Sequence, residues 1–144
     1  MVDIKKIALI TGATSGIGES TAYELAKKYS LILCGRNKEK LNQLEDNLSS
    51  VTKVITLKFD VRNHKEVSEK ILSLDNSWNN IDLLINNAGN AHGLDFIHEG
   101  DIKDWDMMID TKVKGLLYVT KYVLESMVNN NSGQIINIGE IAGK

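Results

Sequence analysis

Apolar positions along the chain follow two spacings. Continuous apolar-rich runs recur at Ile7 to Thr11, Leu31 to Cys34, Lys53 to Phe59, Ile81 to Asn86 and Gln134 to Ile138. Short runs of this kind predict strands of a sheet covered on both faces. Between the runs the spacing becomes helical. Gly18, Ala22, Leu25, Ala26 and Tyr29 fall on one stripe and predict a first helix with that side inward. Asn37 is placed to cap a second helix, with Leu41, Leu44 and Leu48 on its buried side. Asn63 followed by Glu66 resembles a capping box opening a third, with Val67, Ile71 and Leu74 inward. Asp101 starts a short helix carrying Ile102, Trp105 and Ile109. A longer one follows from about Thr111 to Asn129, with Val113, Leu116, Leu117, Thr120, Leu124 and Met127 on one side. Asn129-Asn130-Asn131-Ser132-Gly133 reads as a helix-stop loop. Strands alternating with helices predict right-handed βαβ units, a parallel sheet and the α/β class.

Composition narrows the function. A chain of 144 residues with 42% hydrophobic and 25% charged residues predicts one ordinary globular domain. The net charge of -2 provides no basic footprint for nucleic acid. No apolar run approaches the roughly 20 residues of a membrane helix. No charged-then-apolar leader opens the chain, and the single cysteine, Cys34, has no internal partner. Both point to a reducing cytoplasm. His64, His92 and His98 have no spaced His or Cys partner and predict no metal site. Proline is absent.

The chemistry concentrates after the first strand, in Thr11-Gly12-Ala13-Thr14-Ser15-Gly16-Ile17-Gly18. Strand, glycine turn, helix presents backbone N–H groups and a helix N-terminus to a phosphate. Gly12 allows the turn, Gly16 lets a pyrophosphate approach the main chain, and Gly18 lets the helix pack closely. An acidic residue at the end of the second strand would favour NAD by bonding both ribose hydroxyls. The chain has Cys34-Gly35-Arg36-Asn37 there instead. A guanidinium can grip a 2′-phosphate at two points, which favours NADP.

TGATSGIG at Thr11–Gly18 resembles the cofactor loop of the short-chain dehydrogenase/reductase family. Asn86-Asn87-Ala88-Gly89 after the fourth strand resembles its second signature, and Asp60-Val61 the pair after its third strand. The stretches Trp105 to Gly115 and Gly133 to Gly143 are similar to its fifth-helix and fifth-strand segments. CGRNKEKL, FDVRNH and NNIDLLINNAG look most like its branch of NADP-dependent 3-hydroxy acid (serine-type) dehydrogenases. The resemblance covers essentially the whole chain. It implies a Rossmann-like doubly wound parallel sheet of five strands in order 3-2-1-4-5, lacking the usual C-terminal strands and helices. One NADP-binding domain would span residues 1–144, truncated relative to the family. Gly12, Ser15, Gly16, Ile17 and Gly18, with Thr14 on the same loop, would cradle the pyrophosphate. Arg36 and Asn37 would hold the 2′-phosphate end, and Asp60 and Val61 would flank the adenine. Asn87, Ala88 and Gly89 would line the cleft. The resemblance further implies NADP(H) as cofactor, a small hydroxy acid or carbonyl as substrate, and a homo-oligomer paired through the long helix.

The departures from that pattern concern catalysis. Lys112 stands where the family places an asparagine in D-T-N-V-K-G, and Glu140 where it places a serine in I-G-S-x-A-G. The family's Y-x-x-x-K pair lies further downstream. None of the four tyrosines occupies that place: Tyr23 and Tyr29 fall on the first helix, Tyr118 and Tyr122 on the long one. Tyr118 has its lysine, Lys121, one place short. Without an acid/base the family's hydride transfer between NADP(H) and an alcohol or carbonyl would lose about 10²–10⁴-fold in rate. The chain therefore reads as the cofactor-binding portion of a reductase that is not competent alone. The alternative is a catalytically silent nucleotide-binding or partner-binding protein. If Lys112 and Glu140 face one cleft, as in the family, their charges are expected to pair.

Overall fold

The computed structural model describes residues 5–89 and 95–139. Five strands form one sheet: β1 (Lys6–Ile10), β2 (Tyr29–Gly35), β3 (Val54–Lys58), β4 (Leu83–Asn86) and β5 (Gln134–Asn137). Their order is β3-β2-β1-β4-β5, and every neighbouring pair is parallel. This is the order the family resemblance implied. The continuous apolar runs are explained by the layers on either side. Leu9, Ile32, Cys34 and Leu84 face α3 (His64–Leu72) and α5 (Leu116–Asn129), in a core with Val67, Ile71, Val119, Val123 and Met127. The alternate residues Ala8, Ile10, Leu31, Leu33, Leu83 and Ile85 face α1 (Gly16–Leu25) and α2 (Lys38–Leu48), meeting Ala22, Leu41, Leu44 and Leu48. Strands that bury both rows of side chains carry no polar alternation.

Helix starts follow their caps. Asn37 accepts from Lys40 N at 3.1 Å, and Asn63 from Glu66 N at 3.2 Å. The reciprocal half of the expected capping box is replaced: Glu66 Oε2 accepts from Asp60 N at 3.0 Å. Tyr29 does not lie on the first helix. α1 ends at Leu25, and Tyr29 opens β2 opposite Lys6.

The second half of the chain departs further from the sequence reading. The two helices expected after Asp101 are one continuous helix. α4 (Ile102–Ile109) passes through a π-helical turn at Asp110–Gly115 directly into α5. The buried side of α5 is Val119, Val123 and Met127, whereas Val113, Leu117 and Leu124 are exposed. Ile102 and Ile109 are exposed as well, and α4 buries no residue among those described. Two causes act together. Apolar residues encircle α5, so periodicity alone does not select a face. Gly115 then selects it: a Cβ there would lie 2.7 Å from Val61 Cγ2, so only glycine lets the helix approach this closely. Gly115, Val119, Val123 and Met127 continue that contact line at four-residue intervals.

Candidate functional site

The glycine loop and the stretch after β4 are bolted together by side chains. Thr11 Oγ1 accepts from Asn87 N and Ala88 N, each at 3.0 Å. Asn87 Nδ2 donates to Gly12 O at 3.1 Å. Gly18 is forced by this junction: a Cβ there would lie 2.1 Å from Gly12 O and 2.4 Å from Asn87 Nδ2. Gly16 answers a different demand. Its φ is +55°, a left-handed conformation suited to glycine, and among the described residues no atom beyond its chain neighbours lies within 4 Å of where its Cβ would point. A bulky anion can therefore approach the main chain at Gly16. One residue earlier, Ser15 occupies the N-cap of α1 with no side-chain capping bond. α2, α3 and α4, by contrast, are capped by Asn37, Asn63 and Asp101. The first N–H groups of α1 are left for a ligand to satisfy.

These elements border a cleft of about 940 Å³ along the C-terminal ends of the strands. Of the residues expected at a cofactor, Gly12, Thr14, Ser15, Gly16, Ile17, Arg36, Asn37, Asp60, Val61, Asn87, Ala88 and Gly89 all line it. Gly18 does not; its place is behind the wall, where it permits the junction just described. The cleft continues past Gly89 to Met107, Thr111 and Ile138. Arg36 is exposed at the opposite end, and among the described residues it has no hydrogen-bond or ion-pair partner. Asn37 gives its side-chain oxygen to the α2 cap.

Among the lining residues that the sequence reading did not assign to the site, two hold its walls in place, Thr11 and Arg62. Thr11 is the bolt itself. Arg62 donates Nε and Nη2 to the Asp60 carboxylate, the Nη2–Oδ2 distance being 2.7 Å. Its backbone N–H also bonds Asp60 Oδ1 at 3.0 Å, an Asx-type turn. The Arg62 side-chain bonds hold the Asp60 carboxyl below its ordinary pKa against the opposing effect of burial, with smaller help from the Arg62 and Arg36 charges. Cys34 is fully buried under the cleft floor, and burial pushes its thiol pKa up, so it stays a neutral thiol.

Lys112 sits half-buried on the π-helical turn, its stem against Gly89: a Cβ at Gly89 would lie 3.0 Å from Lys112 Cγ. Its expected partner Glu140 lies outside the described residues, as does His92. A Y-x-x-x-K spacing that the sequence reading passed over does occur within the chain, at Tyr23 on α1 and Lys27 in the turn after it, but both are exposed and neither lines the cleft. Tyr23 instead accepts from Asn47 Nδ2 at 3.1 Å, and Lys27 pairs with Glu24. Among the described residues no helix is long and apolar enough to cross a membrane.

Comparison with known proteins agrees with this geometry. The family model described as short chain dehydrogenase matches residues 6–144. An NADP-dependent 3-hydroxy acid dehydrogenase of Salmonella typhi is 46% identical over 138 residues, which are 95% of this chain and 55% of that protein. Sulfoacetaldehyde reductase 2 of Chromohalobacter salexigens is 41% identical, the match covering 96% of this chain and 56% of the relative. The closed form of serine dehydrogenase complexed with NADP+ superposes with a TM-score of 0.87 at 44% identity, over 95% of this chain and 55% of its own. NAD+-bound xylitol dehydrogenase superposes with a TM-score of 0.91 at 28% identity, covering 99% of this chain and 56% of its own. The chain thus spans about half the length of the relatives it matches.

Proposed function

The chain belongs to the short-chain dehydrogenase family, and from that premise we propose that its cleft binds NADP(H). One observation carries the choice of nucleotide. The end of β2 offers Arg36 and no carboxylate, in the same cleft as the glycine loop. The fold itself does not choose, since it is shared with an NAD+-bound neighbour. In this reading the N–H groups around Ser15, Gly16 and Ile17 receive the pyrophosphate, with Gly12, Thr14 and Gly18 shaping the loop. Arg36 and Asn37 hold the 2′-phosphate end, the guanidinium by charge and the Asn37 amide nitrogen as a donor. Asp60 and Val61 flank the adenine, while Asn87, Ala88 and Gly89 line the path toward the nicotinamide. The empty space beside Gly16 and the uncapped start of α1 fit a bound diphosphate.

When bound, the nicotinamide supplies or accepts the hydride. This chain's part is to hold the nucleotide and to exclude water along β1 and β4. The reaction of the protein, by likeness to its NADP-dependent relatives, is hydride transfer between NADP(H) and an alcohol or carbonyl such as a 3-hydroxy acid. We place residues 1–144 as a single binding domain that does not turn over by itself. Lys112 stands in the family's asparagine place, Glu140 in its serine place, and Tyr23 with Lys27 is remote from the cleft. We also infer a cytoplasmic setting, which suits the lone buried Cys34, and a homo-oligomer. The exposed apolar residues Ile109, Val113, Leu117 and Leu124 support self-association, which light scattering reads directly.

Titration of the chain with NADPH and NADH tests the reading. NADPH is expected to bind more tightly, and Arg36→Ala to remove about 1.5–3 kcal/mol of that preference, the worth of a hydrogen bond to a charged group. Equal affinities, or steady NADPH oxidation with small aldehydes or 3-oxo acids, would sink the corresponding half of the proposal.

A further inference from the structure

Beside the cleft lies a second cavity of about 500 Å³, at the sheet edge where β3 ends. The two share a wall: Arg36, Lys38, Phe59 and Asp60 line both. Lys58 and Lys70 line only the second. Lys58 is the last residue of β3, paired in register with Gly35, immediately before Arg36. Lys70 comes from the last turn of α3, on the opposite face of the sheet from α2. Three separate elements therefore bring cations to one place.

Among the described residues, none of these four side chains has a hydrogen-bond or ion-pair partner. Three carboxylates line the same cavity, and each is engaged. Asp60 is held by Arg62, Glu66 accepts the Asp60 N–H at 3.0 Å, and Glu69 lies 3.9 Å from Lys65 Nζ. The four cations outnumber the three carboxylates of the same lining, and an anion entering beside the unpaired ones offsets the excess positive charge.

We propose that Lys58 and Lys70 act with Arg36 and Lys38 as the specificity set for the ribose 2′-phosphate of NADP(H). The inference rests on the reading that the main cleft binds this nucleotide. The phosphomonoester dianion sits at the shared wall, where the cleft opens into the second cavity. Arg36 supplies the two-point contact. The lysine ammonium groups act as point charges from the far side, across a partly solvated gap. Their contribution weakens with salt over the Debye length of about 8 Å at physiological ionic strength.

The test uses Lys58→Gln, Lys70→Gln and the double variant of the full chain, with dissociation constants for NADPH and NADH read from nucleotide fluorescence. Each single change is expected to lower NADPH affinity about three-fold and the double about ten-fold, the scale of exposed charge pairs. NADH affinity stays unchanged, Lys→Arg variants retain the preference, and the salt dependence of NADPH binding flattens in the double variant. A double variant with the wild-type NADPH-to-NADH ratio overturns the inference. Equal weakening of both nucleotides also overturns it, because that signals damage to the cleft rather than loss of phosphate selection. If the wild-type chain prefers NADPH and the double variant keeps that preference, only this inference falls. If the wild-type chain binds neither nucleotide, the underlying reading falls and takes the inference with it.

Discussion

β2 and β5 are strands of one sheet, yet β2 buries five consecutive residues while β5 leaves Gln134, Ile136 and Asn137 exposed. Their helices differ in the same way. α2 hides Leu41, Leu44 and Leu48, whereas α4 hides nothing among the described residues and exposes Ile102 and Ile109. Between these extremes runs α5, with one packed side and one bare side. The candidate nucleotide site draws its shape from the first kind of region. Its loops hang from β1, β2 and β4, whose side chains are fixed by packing within the described residues. The far end, near Met107, Thr111 and Ile138, belongs to the second kind. A closely packed floor meets a wall whose apolar side chains are exposed among the described residues, and the same substitution should therefore behave differently in the two.

The sharpest contrast is between two glycines. Gly18→Val places atoms into Gly12 O and Asn87 Nδ2, and should cost about 3 kcal/mol in urea-melt stability together with nucleotide binding. Gly139→Ala meets no atom of the described residues within 4 Å and should stay within about 0.5 kcal/mol of wild type. Equal losses would break the comparison. A smaller effect separates neighbours on α5. Val123→Ala, at a fully packed position, should cost about 2 kcal/mol, and Leu124→Ala, on the exposed side, under about 0.5 kcal/mol. The reverse order in thermal melts would restore the helix face that periodicity suggests.

The smallest effect is electrostatic and depends on pH. Arg62 lowers the pKa of Asp60, so the folded state holds the ionised carboxylate more tightly than the unfolded chain does. That stability is fully present above the unfolded value of about 3.9. It is lost as pH falls through the lower folded value. Both side chains remain partly exposed, and the contribution should be under about 1 kcal/mol. Asp60→Asn should therefore be slightly less stable than wild type at pH 7, with the gap closing below about pH 4. A gap that widens in acid would contradict the assigned sign.

Much of the buried region was legible in the amino acids. Strands covered on both faces leave continuous apolar runs, and Asn37 and Asn63 announce helix starts through a local bond. The glycine-loop residues were legible because a turn that offers its main chain to an anion restricts which residues fit, whereas Asp60, Val61, Asn87, Ala88 and Gly89 were reached only through the family resemblance. The roles of Thr11 and Arg62 were not legible. Thr11 is functional only because Asn87 and Ala88 come to it from the far side of a crossover. Arg62 could have been flagged from Asp60 two residues before it, since aspartate readily turns the chain back on itself. The long helix was misread for a physical reason. With apolar side chains all round, the choice of face fell to Gly115 and to a π-helical turn, neither of which has a hydrophobic period.

The Thr11 bolt also constrains the order in which the molecule can assemble. Its bonds to Asn87 and Ala88 join positions 76 and 77 residues apart. Closing a loop of that length is entropically uphill until β4 docks beside β1, and contacts this distant slow the search for the native topology. The cleft is therefore completed after β1 and β2 have found each other through their much shorter connection. A nucleotide that needs both walls has nothing to grip on the half-assembled chain. It acts as a brake on unfolding and leaves the folding rate to the polypeptide itself.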